Sequence, residues 1–227
     1  MKILVLSSGG VDSTTCLALA VKEAGPENVF SLSIYYGQKH DKELEAARAV
    51  AAYYGVAHQE LDLAVIFADS NCSLLKQSSE EIPKESYARQ LSGTEGTVST
   101  YVPFRNGLFL SCAASVALSR GCEKILYGAH ADDAAGAAYP DCSVQFVEAM
   151  NRAITEGTGN QLRLEAPFVS VTKAEVVRTG LALKVPYELT WSCYEGGKTP
   201  CCRCGTCIDR IEAFRANGVE DPLLKEV

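Results

Sequence analysis

Residues 3–14 read ILVLSSGGVDST, and they decide the fold: four apolar residues, a turn with two glycines, and the beginning of a helical pattern. The apolar residues predict a buried strand, and the pattern from about Ser13 to Glu23 predicts a helix that ends before Gly25-Pro26. The N–H groups of a glycine-rich turn, and of the helix that it opens, form a concave site for an anion. The sequence therefore predicts an anion site between this strand and this helix.

The turn supplies more than a change of direction. Its glycines let the main chain come close to an oxyanion, and its hydroxyl groups add hydrogen-bond donors. Asp12 would repel an anion unless a cation intervenes, which indicates either Mg²⁺ or a carboxylate that is turned away to orient the turn. A purely structural turn needs neither this carboxylate nor three hydroxyl groups. The other residues of the site are Ser8, Gly9, Gly10, Ser13 and Thr14.

The pattern of this turn separates it from two common nucleotide motifs. It lacks the lysine of G-x-x-x-x-G-K-[ST], and it does not match G-x-G-x-x-G. It resembles S-G-G-x-D-S, the pyrophosphate loop of the ATP pyrophosphatases. This resemblance implies that ATP is split between its α and β phosphates while an acyl or related oxygen is adenylated.

Strand and helix patterns alternate along most of the chain. The further predicted strands are 29–36, 57–63, 124–129 and 163–168, and the further predicted helices are 41–54, 104–120, 144–156 and 172–184. Thr172 and Glu175 form a capping box at the last of these helices. The alternation predicts an α/β fold with an open, mostly parallel, doubly wound sheet of about five strands and helices on both faces. Ligands then bind at the carboxyl ends of the strands.

Composition excludes several classes of protein. The chain has 227 residues, of which 47% are hydrophobic and 22% are charged, which is typical of a globular protein. No apolar run approaches the roughly 18 residues of a membrane span, and the first one is interpreted as a strand rather than a signal peptide. The net charge of −7 disfavours direct nucleic-acid binding. A cytoplasmic protein without a membrane partner is expected.

Two segments do not fit the regular sheet. Residues 68–100 are polar and form a connection longer than usual, which we interpret as a loop insertion that covers the site, with a tolerated surface insertion as the alternative. Residues 191–227 are rich in cysteine. The predicted organisation is therefore an α/β domain over residues 1–190 and a small zinc-binding C-terminal segment over residues 191–227.

Five of the ten cysteines lie between residues 193 and 207. Cys201, Cys204 and Cys207 are separated by two-residue gaps, and Cys193 lies eight residues upstream. Four thiolates hold Zn²⁺ tetrahedrally and leave no open position, so we predict one structural zinc per chain. Cys202 keeps no two-residue gap to another cysteine and is left out. An iron–sulfur cluster uses the same ligands and is the main alternative.

Taken together, these features resemble the 7-cyano-7-deazaguanine synthase family of the ATP pyrophosphatase superfamily. The matching stretches are 8–15, YVPFRN at 101–106, GAHADD at 128–133, YPDC at 139–142, and 191–207. They cover nearly the whole chain. Phe104 departs from the family pattern, which usually has glycine there, and its bulk is expected to narrow the pocket or shift the loop.

The resemblance implies a ligase of queuosine precursor biosynthesis. Such an enzyme converts 7-carboxy-7-deazaguanine and ammonia to 7-cyano-7-deazaguanine through an adenylated carboxylate and an adenylated amide. It consumes ATP with Mg²⁺ and works as a homodimer that binds no nucleic acid directly.

Site residues follow from the resemblance and from their place at strand ends. The expected catalytic residues are Asp12, Ser13, Arg105 and Asp132. ATP is expected to contact Ser8, Gly9, Gly10, Val11, Asp12, Ser13, Thr14, Tyr36 and Lys173. The second substrate is expected to contact Arg105, Asn106, His130, Asp133, Tyr139 and Asp141. Simpler interpretations are a surface Arg105, a satisfied polar His130, a plain turn around Pro140 and a solvated Lys173.

Two other functions stay open from the sequence. One is a different ATP pyrophosphatase, either a tRNA thiolase or an amide-forming synthetase. The acidic charge argues against the thiolase, and a glutamine-dependent synthetase needs a glutaminase domain. The other is a non-catalytic nucleotide-binding sensor, which would not need a pocket for a second substrate.

Overall fold

Five strands form one parallel sheet in the order β3-β2-β1-β4-β5. The computed structural model describes residues 1–86, 89–90, 97–135 and 138–224. Ile3 lies opposite Val29 on one side and Lys124 on the other. The strands are β1 (Ile3–Leu6), β2 (Val29–Tyr35), β3 (Ala57–Asp62), β4 (Lys124–Leu126) and β5 (Arg163–Glu165). The predicted doubly wound parallel sheet is confirmed.

The described helices flank this sheet. They are α1 (Val11–Ala24), α2 (Lys42–Tyr54), α3 (Arg105–Ser119), α4 (Ala131–Ala134), α5 (Val144–Gly157), α6 (Lys173–Ala182) and α7 (Gly205–Ala216). The capping box of Thr172 and Glu175 is present at the start of α6. The sequence analysis did not predict α4 or α7. The last two strands end earlier than predicted, because β4 and β5 have no paired residues beyond Leu126 and Glu165.

Side chains of β1 alternate between two cores. Leu4 and Leu6 face the core that α3 and α5 cover, whereas Ile3 and Val5 face the core that α1, α6 and α7 cover. All four are buried or nearly so. This is the alternation that a strand requires, and a sheet covered on both faces needs apolar residues at every position.

The direction in which successive strands are added to the sheet reverses at its centre, between β3 and β4. β2 and β3 lie on one side of β1, and β4 and β5 lie on the other. The loops that follow β1 and β4 therefore diverge and leave a crevice at the carboxyl ends of these strands. They also touch at their base, because a Cβ added at Gly128 would lie 3.0 Å from the backbone nitrogen of Ser13.

The cysteine-rich segment is packed into both cores. Cys193, Cys204 and Cys207 belong to the core under α3, and Phe214 belongs to the opposite core. A buried ion pair between Arg210 Nε and Asp221 Oδ2, 2.6 Å apart, closes the segment on itself.

The same arginine ties this segment to the preceding chain. Arg210 donates to Thr190 Oγ1 at 2.8 Å and to the carbonyl oxygen of Tyr187 at 3.1 Å. The metal-ligand candidates are thereby held against the body of the fold.

The described part of segment 68–100 lies on the same body. Leu74, Leu75 and Val98 are buried in the core under α3. Leu75 pairs with Gln38 in an isolated antiparallel bridge. Residues 87–88 and 91–96 lie outside the described residues, and the covering role of this segment stays a prediction. Across the described chain, none of the helices has the length and apolar character of a membrane span.

Replacing Gly180 of α6 with alanine is expected to destabilise the protein. A Cβ at this position would overlap the hydroxyl group of Tyr187, which bonds to Thr15 Oγ1 at 2.8 Å. Overpacking of this kind costs about 1–3 kcal/mol, so urea denaturation should show a lower midpoint for Gly180→Ala.

The matched control is Gly157→Ala, at the exposed end of α5, where a Cβ would meet nothing within 4 Å. Alanine favours a helix over glycine by up to about 1 kcal/mol, so this variant should be as stable as the wild type or more stable. Equal urea midpoints for the two variants would show that the stability of the protein does not depend on the close approach of Gly180 to the Tyr187 hydroxyl.

Candidate functional site

A cavity of about 200 Å³ opens at the carboxyl ends of β1 and β4. Its walls come from the loop after β1, the end of β2, the beginnings of α2 and α3, the loop after β4, and residues 191–206. Ten residues that the sequence analysis selected line it: Ser8, Gly10, Asp12, Ser13, Tyr36, Arg105, Asn106, Asp133, Tyr139 and Lys173. Six others do not line it directly: Gly9, Val11, Thr14, His130, Asp132 and Asp141.

The loop after β1 is folded by its own hydroxyl groups. The Ser8 backbone N–H donates to Ser13 Oγ at 3.1 Å, and the Gly10 N–H donates to Ser8 Oγ at 3.4 Å. Gly10 is the N-cap of α1 and provides no side-chain cap. No side chain caps this fourteen-residue helix, and its N-terminus borders the cavity through Gly10, Asp12 and Ser13, an arrangement that suits an anion.

Gly9 shapes this loop from behind the cavity wall. Its φ of +78° lies in the left-handed region, and a Cβ there would overlap the carbonyl oxygen of Glu43 and lie 2.7 Å from the Ala47 nitrogen. The carbonyl oxygen of Gly9 accepts from the Trp191 N–H at 2.9 Å. Only glycine fits between α2 and the C-terminal segment.

A buried lysine supplies a positive charge beside the Asp12 carboxylate. Lys173 Nζ lies 3.2 Å from Asp12 Oδ2, and Lys173 is only 8% exposed. Burial raises the pKa of Asp12, but the charges of Lys173 and His130 more than offset this and hold the pKa below its usual value. The same carboxylate helps to raise the pKa of Lys173 against the effect of burial. Lys173 is therefore a fixed cation and not a solvated side chain.

His130 lies behind this pair and is fully buried. Its Nε2 is 3.3 Å from Asp133 Oδ2, 3.5 Å from Lys173 Nζ and 3.7 Å from Asp12 Oδ1. Burial raises the pKa of Asp133, although His130 and Lys173 oppose the rise. The four groups form one network of mixed charge at the end of β4.

Asp132 and Asp141 each bond to the N-terminus of a helix. Asp132 Oδ2 accepts from the backbone N–H of Lys173 at 2.7 Å, and Asp141 Oδ2 accepts from the backbone N–H of Asn106 at 3.0 Å. These bonds place the first residues of α6 and α3, which line the cavity. Carboxylates at helix N-termini are stabilising, and here they fix the positions of neighbouring site residues.

Arg105 begins α3 and is a second fixed cation of the cavity. Its Nη1 donates to the Tyr36 hydroxyl at 3.2 Å, and its guanidinium lies 5.1 Å from the centre of the Tyr36 ring. Burial lowers the pKa of Arg105, but Tyr36 and nearby carboxylates raise it above the usual value. The side chain therefore lies in the cavity wall rather than on the surface of the helix.

Phe104 precedes Arg105 and has a left-handed backbone, with φ of +52°. An L-residue in this region costs roughly 1–2 kcal/mol, which explains why glycine suits the position. The side chain is 59% exposed and packs edge-on against Phe146, with ring centres 6.2 Å apart. It is not among the cavity-lining residues, so its bulk does not narrow the pocket.

Cys142 is the one cysteine in the cavity wall of the described chain. It receives a hydrogen bond from Asn106 Nδ2 at 3.4 Å and contacts the Tyr127 hydroxyl at the same distance. Burial raises the pKa of the Cys142 thiol far above its usual value. The group is therefore a neutral thiol and a poor nucleophile.

The sequence analysis missed several cavity residues. They are Gln38, Glu43, Tyr127, Trp191, Ser192, Tyr194 and Thr206. Glu43 and Gln38 follow β2, so the rule that ligands bind at strand ends contained the signal for them. The last four flank the cysteines, and their place in the wall depends on contacts such as that of Trp191 with Gly9.

Four cysteine sulfurs form a group that can hold one metal ion. The Sγ atoms of Cys193, Cys201, Cys204 and Cys207 all lie within 4.8 Å of one another. The Cys201 N–H donates to Cys193 Sγ at 3.3 Å, and the Cys204 N–H donates to Cys201 Sγ at 3.3 Å. Cys202 is exposed and contacts the carbonyl of Pro200 instead. The predicted grouping of the four cysteines, without Cys202, is confirmed.

Removing the Lys173 charge is expected to raise the pKa of Asp12, because burial would then be opposed by the His130 charge and a backbone hydrogen bond at Asp12 without the charge and hydrogen bond of Lys173. Titration of the Asp12 carboxyl carbon by NMR in Lys173→Met measures this. The control is Lys22→Met, which removes an exposed lysine from α1, the helix that contains Asp12. The ion pair would be unimportant if Asp12 titrated at the same pH in all three proteins.

Comparisons with known proteins agree over almost the whole chain. The family model described as "Queuosine biosynthesis protein QueC" matches residues 2–218. The 7-cyano-7-deazaguanine synthase of Archaeoglobus fulgidus is 44% identical over 227 residues, which is 100% of this chain and 91% of that protein. The protein of the same name from Caldicellulosiruptor saccharolyticus is 46% identical over 100% of this chain and 96% of its own.

A solved structure is similar in fold. It is the "U34-tRNA thiolase NcsA from Methanococcus maripaludis with its [4Fe-4S] cluster", with a TM-score of 0.50 and 15% sequence identity. The match covers 96% of this chain and 66% of that one. At this identity the likeness supports the fold alone.

Proposed function

Because the chain belongs to the QueC family, we propose that it converts 7-carboxy-7-deazaguanine and ammonia to 7-cyano-7-deazaguanine with ATP. The reaction would serve queuosine precursor biosynthesis. The single observation that carries the mechanism is the N-terminus of α1, which no side chain caps and which borders a cavity that also contains two cations, the buried Lys173 and the half-buried Arg105.

The chemistry explains why ATP is needed at two stages. A carboxylate is a poor electrophile, so its oxygen attacks the α-phosphorus of ATP, the bond to the β-phosphate breaks, and pyrophosphate leaves. Ammonia then displaces AMP and forms an amide. The amide oxygen attacks the α-phosphorus of a second ATP, and loss of AMP with this oxygen leaves the nitrile.

The loop after β1 would hold the departing pyrophosphate. Its N–H groups and the hydroxyls of Ser8 and Ser13 donate to phosphate oxygens, and Lys173 neutralises charge that develops as the bond breaks. The other residues of the loop contribute through their main chain, which shapes the loop; they are Gly9, Gly10, Val11 and Thr14. The hydroxyl groups of Ser8 and Ser13 lie 3.1 Å from each other, so they would exchange this contact for phosphate oxygens when ATP binds.

Mg²⁺ is expected to accompany ATP, and the residues present fit it. Asp12 Oδ1 is buried without a hydrogen-bond partner, and Asp133 offers a second carboxylate in the cavity wall. Carboxylate oxygens are the ligands that Mg²⁺ prefers. The ion would neutralise phosphate charge, and Asp12 and Asp133 would hold it.

The opposite end of the cavity would bind the second substrate. Arg105 is fixed against Tyr36 and can pair with the substrate carboxylate or with the α-phosphate. Asn106 and Tyr139 line the space beside it, and aromatic rings suit a planar deazaguanine. Asp132, His130 and Asp141 would act by positioning their neighbours.

Turnover with 7-carboxy-7-deazaguanine, ATP, Mg²⁺ and ammonium should release AMP and pyrophosphate and yield the nitrile, as read by mass spectrometry. Asp12→Asn is expected to lower the rate about 100-fold or more, since an electrostatic contact in the transition state is lost. Glu148→Gln, the same kind of change on an exposed side chain of α5, should leave the rate unchanged. Release of ADP, or full activity of Asp12→Asn, would contradict the mechanism.

We further propose that the cysteine group holds a single zinc ion. Zn–S bonds of about 2.3 Å place four sulfurs about 3.8 Å apart, which agrees with sulfurs within 4.8 Å of one another. An iron–sulfur cluster distributes its cysteines over several irons and spaces them more widely. The site would be structural, because four thiolates leave no position for water.

The purified protein is expected to contain one zinc per chain by elemental analysis and to show no visible absorption band. Cys204→Ser should lose the metal, because Cys204 is a buried member of the group. Cys202→Ser should keep it, because the exposed Cys202 thiol lies outside the group. Iron with acid-labile sulfide would contradict the zinc assignment.

The family resemblance further supports a homodimer that acts on small molecules and does not contact nucleic acid directly. All ten cysteines are free, which agrees with the reducing environment of the cytoplasm.

A further inference from the structure

Glu43 is the one carboxylate in the described cavity wall that lacks a close partner. Three carboxylates line the cavity, namely those of Asp12, Glu43 and Asp133. Asp12 pairs with Lys173, and Asp133 lies 3.3 Å from His130. No hydrogen bond or ion pair within the described chain engages the Glu43 carboxylate, although the charge of Arg105 is near enough to act on it.

The fold places Glu43 between the two halves of the site. It is the second residue of α2, and its backbone packs against Gly9 of the phosphate loop so closely that no Cβ fits there. Its charge also acts on Arg105 of α3 and on the Tyr36 hydroxyl, which bond to each other at 3.2 Å. A carboxyl group activated between the loop and Arg105 would lie beside Glu43.

The proposed reaction needs a base at this place. Ammonium carries four hydrogens and the nitrile nitrogen carries none. Two protons leave the nitrogen as the amide forms, and two more leave as the amide becomes a nitrile. Adenylation itself removes no proton, because the substrate carboxylate attacks as an anion.

We propose that Glu43 is the general base that takes protons from the nitrogen in both stages, an assignment that rests on the proposed synthase function. Its carboxylate accepts a proton from ammonium and later from the adenylated amide, and it returns each proton to solvent through the mouth of the cavity. Of the four electron pairs from the broken N–H bonds, three form the carbon–nitrogen triple bond and one remains as the lone pair of the nitrile nitrogen, while the carboxylate oxygens leave the carbon with the two AMP molecules.

The electrostatics of the cavity agree with this role. Burial raises the pKa of Glu43 to about 7, although the Arg105 charge opposes the rise. A general base works best when its pKa lies near the working pH, and an ordinary carboxylate would be too weak. Burial also raises the pKa values of Tyr36 and Cys142, so these two groups remain protonated and cannot compete as bases.

Glu43→Gln separates the two kinds of step. Exchange of labelled pyrophosphate into ATP, measured with 7-carboxy-7-deazaguanine and without ammonium, should be within about twofold of the wild-type rate. Formation of amide and nitrile should fall roughly 100-fold or more, the usual contribution of a general base. The control is Glu45→Gln on the same helix, whose exposed carboxylate pairs with Lys42 at 3.0 Å and does not line the cavity.

The pH dependence gives a second readout that loss of structure would not reproduce. Glu43 must be ionised to act, so the rate of nitrile formation by the wild type should fall as the pH drops through about 7. This decrease should be absent from the pH profile of Glu43→Gln. Above the pKa of ammonium, free ammonia no longer needs the base, so amide formation by Glu43→Gln should partly recover.

Three results would overturn the assignment: normal nitrile formation by Glu43→Gln, equal loss of exchange and nitrile formation, or a higher KM for the carboxy substrate with unchanged kcat. The last two would place Glu43 in substrate binding. A wild-type protein that shows neither exchange nor nitrile would instead refute the proposed function.

Discussion

The contact between Lys173 Nζ and Asp12 Oδ2 joins α1, which follows the central strand β1, to α6, which follows the edge strand β5. These residues are 161 positions apart, and each lies in the first turn of a helix that faces the cavity. A buried cation at a helix N-terminus is costly without a partner, and a carboxylate beside a phosphate loop repels the ligand. Each residue removes the electrostatic cost of the other. The ion pair thereby allows a negative residue to share one loop with the proposed phosphate site.

Much of the fold could be predicted from the sequence, because it depends on local patterns. The apolar run of β1 and the glycines that end helices gave bounds within a few residues for the first helices and strands. The site was predictable only in part. The end of β4 locates Asp132 and the family resemblance locates Asp141, but their hydrogen bonds to Lys173 and Asn106 form between distant segments. Helix α7 was missed because residues 191–227 were interpreted as a cysteine-rich zinc-binding segment without regular structure.

Metal binding and the reaction site are connected through the chain itself. Ser192 and Tyr194, which line the cavity, flank the ligand candidate Cys193, and Thr206 precedes Cys207. Arg210 also holds the segment that leads into this part of the cavity wall, because its guanidinium donates a hydrogen bond to Thr190 Oγ1. The cysteine group is therefore a structural element of the cavity wall and not a remote appendage.

The single glycine turn after β1 has a kinetic consequence for a reaction that consumes ATP at two stages. Within the described chain one such turn lines the cavity, so on the proposed function both nucleotides would occupy it in succession. AMP and pyrophosphate would leave before the second ATP enters, while the amide would stay at the Arg105 end. The fraction of amide that escapes is then set by a competition between its own dissociation and nucleotide exchange. Such an enzyme completes both stages without releasing the amide only when the amide dissociates more slowly than AMP and pyrophosphate do.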